Sequence, residues 1–290
     1  MGAPAVDFHQ HLWPEPFIAA LEKRRSPPKL RGAVFELADS PSAEVDLDVH
    51  SLTTRLALLD RDEVDVAVIS LSPALGIGDL AAGEAEELLE AYEEGILELA
   101  RSASGRIVPL AARRLRDGFA GVCLAASDLD DLDDVSGTLD ALEQQRKLLF
   151  VHPGPARAVR ADPLWWGEIV DYTAQMQAAY ARWLTEGTVR WPGLRVVFAI
   201  LAGGWPFQLE RLGSRGIEAR DTLSENMFFD TASYGRRALE LCLATFGVGQ
   251  IVYGSDVPVI DSRPTLDAVR SLGDAVGEAL CVQNPARLLS

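Results

Sequence analysis

The chain has 290 residues, 48% of them hydrophobic and 24% charged, with a formal net charge of −16. That length and balance suit a globular protein able to bury one barrel-sized core. So acidic a chain repels phosphate backbones, and no apolar run approaches the roughly 20 residues a membrane span requires, so the expected partner is a small-molecule substrate, with no nucleic acid and no membrane.

Met1-Gly2-Ala3-Pro4 leads without a signal-peptide pattern into Val6-Asp7-Phe8-His9-Gln10-His11, which reads as a first strand. Residues 12–45 follow, with Pro14, Pro16, Pro27-Pro28 and Gly32 and one short apolar run from Ala33 to Leu37. A connection that long predicts an insertion over one end of the fold. Leu52, Leu56 and Leu59 have helical spacing within 45–62, and Val64 to Ser70 is a buried strand. The alternation continues with a helix over 84–103, a strand at 107–110, a weak helical turn, a strand at 121–125 and a helix over 135–146. Leu148 to His152 is a fifth strand closed by Pro153, and 163–186 reads as a long aromatic helix. Arg195 to Leu201, Met227 to Asp230 and Ile251 to Asp256 supply strands six, seven and eight.

Eight strands apolar on both faces and separated by helices predict a parallel sheet closed into a (β/α)₈ TIM barrel, one domain over 1–290. The polar residues of interest stand at C-terminal strand ends: His9 and His11 after the first, His152 after the fifth, Asp256 after the eighth. In a barrel those ends meet on one face, where barrel enzymes place their chemistry. Because strand side chains alternate, His9 and His11 point the same way, and two neutral imidazoles converging on one point can each give a nitrogen to a divalent ion at about 2.0–2.1 Å. Cys123, Cys242 and Cys281 are odd in number, far apart and without metal-type spacing, which predicts reduced, mostly buried thiols and a cytoplasmic protein.

Five motifs taken together resemble the amidohydrolase superfamily: Asp7-Phe8-His9-Gln10-His11, Val151-His152-Pro153, Gly203-Gly204-Trp205-Pro206, Gly254-Ser255-Asp256-Val257-Pro258 and Asn284 to Leu289. In order and spacing they are most similar to the amidohydrolase-related branch that includes aminocarboxymuconate semialdehyde decarboxylase and other zinc-dependent decarboxylases and hydrolases. The resemblance implies that His9, His11, His152 and Asp256 hold one divalent metal ion, Zn²⁺ being the expected one, with Asp256 also the catalytic proton carrier, and it implies a homodimer. Two-metal members bridge their ions with a carbamylated lysine or a glutamate at the end of the fourth strand. None of Lys23, Lys29 and Lys147 lies near Gly121 to Ala125, so a single ion is expected, and Cys123 reads as a buried core residue.

The sequence departs from the family at the sixth strand, where a histidine normally stands two residues beyond the phenylalanine; here Phe198 is followed at that distance by Ile200. A proton-accepting imidazole is replaced by a hydrocarbon. The expectation is therefore a metal-dependent hydrolase acting on a small, aromatic or carboxylated substrate, with a zinc-dependent non-oxidative decarboxylase as the alternative and a catalytically silent barrel as the third reading. Trp13, Phe17, Trp165 and Trp166 are candidate flat walls for such a substrate, Arg160, with Arg157 and Arg31, the candidate cation for its carboxylate, and Tyr234 and Asp230 are placed to reach the pocket. His50 falls in the first helix and is expected at the surface or as a cap.

Overall fold

The computed structural model describes residues 2–38, 42–156, 163, 165–217 and 223–290. The first strand is β1 (Val6–His11), and the insertion after it holds helix α1 (Glu15–Lys23) and three short strands, β2 (Lys29–Arg31), β3 (Val34–Glu36) and β4 (Ala43–Glu44). These three form an antiparallel sheet in which Leu30 faces Phe35. Both side chains are buried, and the Trp13 ring lies 5.0 Å from that of Phe35, so the insertion has an apolar underside of its own.

The remaining strands are β5 (Val66–Ser70), β6 (Ile107–Pro109), β7 (Gly121–Ala125), β8 (Leu148–His152), β9 (Arg195–Phe198), β10 (Met227–Asp230) and β11 (Ile251–Val252). They and β1 make two parallel sheets, ordered β1-β5-β6 and β11-β10-β9-β8-β7. Backbone hydrogen bonds join the sheets along both edges. Phe8 N–H donates to the Tyr253 carbonyl at 2.8 Å and His11 N–H to that of Val257 at 2.7 Å; across the other seam Ala111 N–H donates to Gly121 and Cys123 N–H to Ala111. The architecture is α/β with parallel sheets, and every strand of the two sheets runs so that its C-terminal end opens on the same face.

The strands are apolar on both faces because helices cover the outside. Phe150 on β8 turns inward, its ring edge-on to that of His9 with centroids 5.1 Å apart, while Phe198 on β9 turns outward against Tyr180 of α5 (Tyr172–Arg182). Earlier in the chain α2 (Leu52–Asp62) precedes β5, α3 (Ala82–Ser102) joins β5 to β6 and α4 (Leu132–Gln144) joins β7 to β8. No helix among the described residues is long and apolar enough to cross a membrane.

Several boundaries differ from the sequence reading. The helix expected over 45–62 is a 3₁₀ turn, Leu47–His50, then α2, because the Ser51 hydroxyl accepts the Thr54 N–H and caps a new start. The turn expected between β6 and β7 is not helical; Ala111 instead bridges to Val122. The sixth strand ends at Phe198, not Leu201, and the eighth hydrogen-bonds its neighbour only over Ile251–Val252. His50 is buried, stacked on Trp13 with ring centroids 4.6 Å apart, and its Nδ1 accepts the Trp13 N–H. Burial, with Arg55 and His11 nearby, lowers its pKa to about 4, so it is a neutral acceptor rather than a surface residue.

The β1/β11 seam is tied outside the strands by a buried carboxylate. Asp62, at the end of α2, accepts both arms of Arg61 at 2.7 and 2.8 Å, the Ser262 hydroxyl at 2.5 Å, and lies 3.1 Å from Arg263 Nε. Burial opposes its charge, but these donors outweigh it and hold the carboxyl below its ordinary pKa. Folding stability from this group is therefore present above the ordinary carboxylate pKa and lost as pH falls through it. Asp62→Ala is expected to cost about 2 kcal/mol, the arginines being partly solvated, and its difference from wild type should shrink below about pH 4; urea unfolding at two pH values checks both.

Candidate metal centre

Three parallel strands and the turn after a fourth deliver the polar cluster. β1 carries His9 and His11, β8 ends on His152, β10 ends on Asp230, and Asp256 follows β11. One ligand atom from each of His9, His11, His152 and Asp256 lies within 4.8 Å of the others. His9 Nε2 and His11 Nε2 are 3.2 Å apart, and each faces Asp256 Oδ1, at 3.5 and 3.2 Å. Donors about 2.0–2.2 Å from a common centre must sit about 3–4 Å from one another, so this spacing fits one ion.

The outward nitrogens explain which atoms face inward. His9 Nδ1 donates to Asp230 Oδ2 at 2.8 Å, His11 Nδ1 to the Ser70 carbonyl at 2.9 Å and His152 Nδ1 to the Pro153 carbonyl at 2.8 Å. With each Nδ1 engaged by an oxygen, each ring turns its Nε2 to the centre, the arrangement that orients imidazoles for a metal. Asp256 Oδ1 is buried with no hydrogen-bond partner. A buried carboxylate oxygen and three ring nitrogens converging on one point are the donor set of a cation site.

The charges agree. Burial opposes ionisation of His9, yet Asp230 and Asp256 overcome it and raise its pKa to about 9. Burial likewise opposes the Asp256 charge, but the imidazoles, His9 foremost, hold its carboxyl below the ordinary value, and the same burial and its two neighbours keep His152 neutral. Behind the cluster, Arg55, 1% exposed, donates to Gln10 Oε1 at 2.7 Å and to the His11 carbonyl at 2.9 Å, while Gln10 Nε2 donates to Asp7 at 2.6 Å. This chain fixes the backbone that carries both histidines. Asp7 also accepts the Ser255 N–H at 3.0 Å, which ties β1 to the loop bearing Asp256. Asp256 itself has φ 65°, and Gly254 can only be glycine, since a Cβ there would stand 2.7 Å from the His9 Cβ.

Ile200 lies at the start of a left-handed turn. Residues Ile200, Leu201, Ala202, Gly203 and Gly204 all have positive φ, between 46 and 74°. Three of them carry side chains, and a β-branched residue there is strained, each such conformation costing about 1–3 kcal/mol. The turn is held by its first amide: Ile200 N–H donates to Asp230 Oδ1 at 3.0 Å, beside the Ala232 N–H at 2.9 Å. Asp230 was expected only to reach the pocket; it orients the His9 ring and anchors the turn at once.

The remaining candidates fall into three groups. Trp13, 7% exposed, gives its faces to Phe17, Phe35 and His50. Trp165 is 53% exposed and Trp166 half-buried, their ring centroids 6.2 Å apart, so this pair is a surface element and not core packing. Tyr234 is half-buried, its hydroxyl 3.8 Å from where a Gly204 Cβ would stand, beside the left-handed turn. Arg31 spends its guanidinium on the Glu22, Arg24 and Leu30 carbonyls, and Arg157 and Arg160 lie outside the described residues. Cys123 is buried, its thiol pushed far above its ordinary pKa by burial, and it is not among the side chains that converge on the cluster. Sequence reasoning passed over Arg55, Gln10 and the Ser70 carbonyl; a buried-strand glutamine beside two histidines was the one available signal. It also passed over Arg113, which lines a cavity of about 80 Å³ with Ser127, Asp128 and Pro155 at the ends of β5 to β8.

The amidohydrolase family model matches residues 6–290, and the chain belongs to that family. Among solved structures it is similar to 5-carboxyvanillate decarboxylase from Sphingomonas paucimobilis, at 18% identity over 99% of each chain with a TM-score of 0.78. It is similar to 2,6-dihydroxybenzoate decarboxylase from Rhizobium, at 16% identity over 100% of this chain and 99% of that one, TM-score 0.72. A third is the manganese-bound 5-carboxyvanillate decarboxylase from Novosphingobium aromaticivorans, at 17% identity over 99% and 96%, TM-score 0.76. At these identities the likeness is one of fold. No curated protein sequence matches the chain significantly.

Two outcomes test the cluster. Asp230→Asn keeps the shape but loses the anion behind His9, and metal affinity is expected to fall about 10–100-fold in a chelator competition titration. In wild type an ion must displace the His9 proton, so affinity should rise by up to about tenfold per pH unit below about pH 9 and level off above it.

Proposed function

We propose that this chain is a mononuclear, metal-dependent, non-oxidative decarboxylase of small hydroxylated aromatic carboxylic acids, built on a closed (β/α)₈ barrel over 1–290 with residues 12–45 inserted over the site. The two hydrogen-bonded seams support closure. The observation that carries the reading is the set of three inward Nε2 atoms and an unpartnered carboxylate oxygen on the strand-end face of a fold shared with three decarboxylases. This favours decarboxylation over the hydrolysis expected from the sequence.

His9, His11, His152 and Asp256 would hold the ion, zinc or manganese, which supplies a Lewis acid for a carboxylate or phenol oxygen. Asp256 keeps a second carboxylate oxygen for proton traffic, and its αL backbone aims the group at the centre. Asp230 fixes the His9 ring, and Arg55 with Gln10 fixes the strand beneath. Trp165, Trp166 and Tyr234, with an edge of Trp13, form the walls, and Arg160 takes a substrate carboxylate. The three unpaired cysteines support a reducing, cytoplasmic setting, and the resemblance supports a homodimer. Hydrolysis remains the second reading, favoured by Ile200, because no imidazole stands at the sixth strand to accept a proton.

The test is metal content by elemental mass spectrometry followed by carbon dioxide release from 2,6-dihydroxybenzoate and 5-carboxyvanillate. About one equivalent of metal per chain is expected, lost in the His9→Ala, His11→Ala double variant, with release abolished by chelation and restored by zinc or manganese. Metal-dependent turnover of esters or lactones without carbon dioxide release would replace this reading by hydrolysis. Activity that appears only in Ile200→His would establish a silent site.

A further inference from the structure

The first residue of α5, Tyr172, carries a hydroxyl that neither the His9, His11, His152 and Asp256 cluster nor the family pattern uses. α5 begins at Tyr172, directly after a five-residue π turn, Gly167–Asp171, that shifts the helical register; such turns recur at functional sites. From there the helix is fastened to both neighbouring strand ends. Gln175 Oε1 accepts the Gly154 N–H at 2.8 Å and its Nε2 donates to the Pro155 carbonyl at 3.1 Å, just beyond His152. On the other side Gln177 Nε2 donates to the Gly203 carbonyl at 2.8 Å, and a Cβ on Gly203 would run into the Thr173 carbonyl. Residues three and four apart share a helix face, so Tyr172 lies on the face of Gln175 and Met176, between the loop after His152 and the turn begun by Ile200. Its side chain is partly buried and its hydroxyl makes no hydrogen bond among the described residues.

We propose that the Tyr172 hydroxyl is a substrate-binding hydrogen-bond donor of this site, directed at a carboxylate or phenolate oxygen of the bound aromatic acid. The assignment rests on the aromatic-acid reading above and names the group that replaces, as a donor only, the polarity missing at Ile200. Burial, then Glu168 and Asp256, push the phenol up to about 12, so it remains protonated and can donate but not accept a proton near neutral pH.

The experiment uses the full chain loaded with manganese and salicylate as the probe, followed by the probe's own fluorescence. Tyr172→Phe is expected to weaken salicylate about tenfold, the loss of one hydrogen bond to a charged group, with metal content and melting temperature unchanged. Replacing Tyr172 with 3-fluorotyrosine, a more acidic donor of the same shape, should tighten binding, which a purely structural role would not do. Equal affinity in Tyr172→Phe, or no response to the fluorinated residue, overturns the assignment while leaving the aromatic-acid reading intact. A fall in metal content in Tyr172→Phe also overturns it, in favour of a supporting role for the ring. Wild type that takes up manganese but ignores salicylate overturns both.

Discussion

The structure of the candidate centre hangs on one carboxylate. Asp230, fully buried at the end of β10, gives one oxygen to His9 Nδ1 and the other to two backbone amides, those of Ile200 and Ala232. A buried anion without compensation would be expensive, but three donors and a raised imidazole pKa satisfy it. It thereby fixes the orientation of the His9 ring and the direction of the chain leaving β9. The other two imidazoles are fixed more cheaply by backbone carbonyls, from Ser70 and Pro153. The three imidazoles are thus oriented from three different strand ends.

Much of this was legible in the sequence. All eight strands of the parallel sheets were visible as short apolar runs, since strands covered on both sides need no polar face. His9, His11, His152 and Asp256 stood out because each ends or follows such a run, and strand alternation put the first two on one side. What the sequence concealed were partners that carry no residue signature. Ser70 and Pro153 act through carbonyls, which every residue has, and Asp230 through a contact with a residue 221 positions away. Arg55 looks like any helix arginine until its burial is known. His50 misled because its position in an amphipathic stretch gave no hint that Trp13 would fold back and stack on it.

Electrostatics separate the scale of the whole molecule from the scale of the site. With 43 acidic against 27 basic residues, the protein's long-range field repels the carboxylates it is proposed to bind. Attraction would therefore have to be local, at the His9, His11, His152 and Asp256 cluster, where three neutral imidazoles and one carboxylate would leave a divalent ion with about one unit of positive charge. Screening at physiological salt, over about 8 Å, lets these two fields coexist.

The left-handed turn after β9 bears on how such a site can change. Its contribution to the ligand geometry passes through the Ile200 amide, not through the isoleucine side chain. A side chain at this position can therefore be exchanged, imidazole for hydrocarbon, while the amide stays on Asp230 and His9 stays aimed at the centre. Glycine at the first three places would relieve the strained dihedrals but would also loosen the amide that Asp230 holds. Position 200 is thus a point at which the side chain can change while the hydrogen bond that anchors the turn and orients His9 through Asp230 is kept.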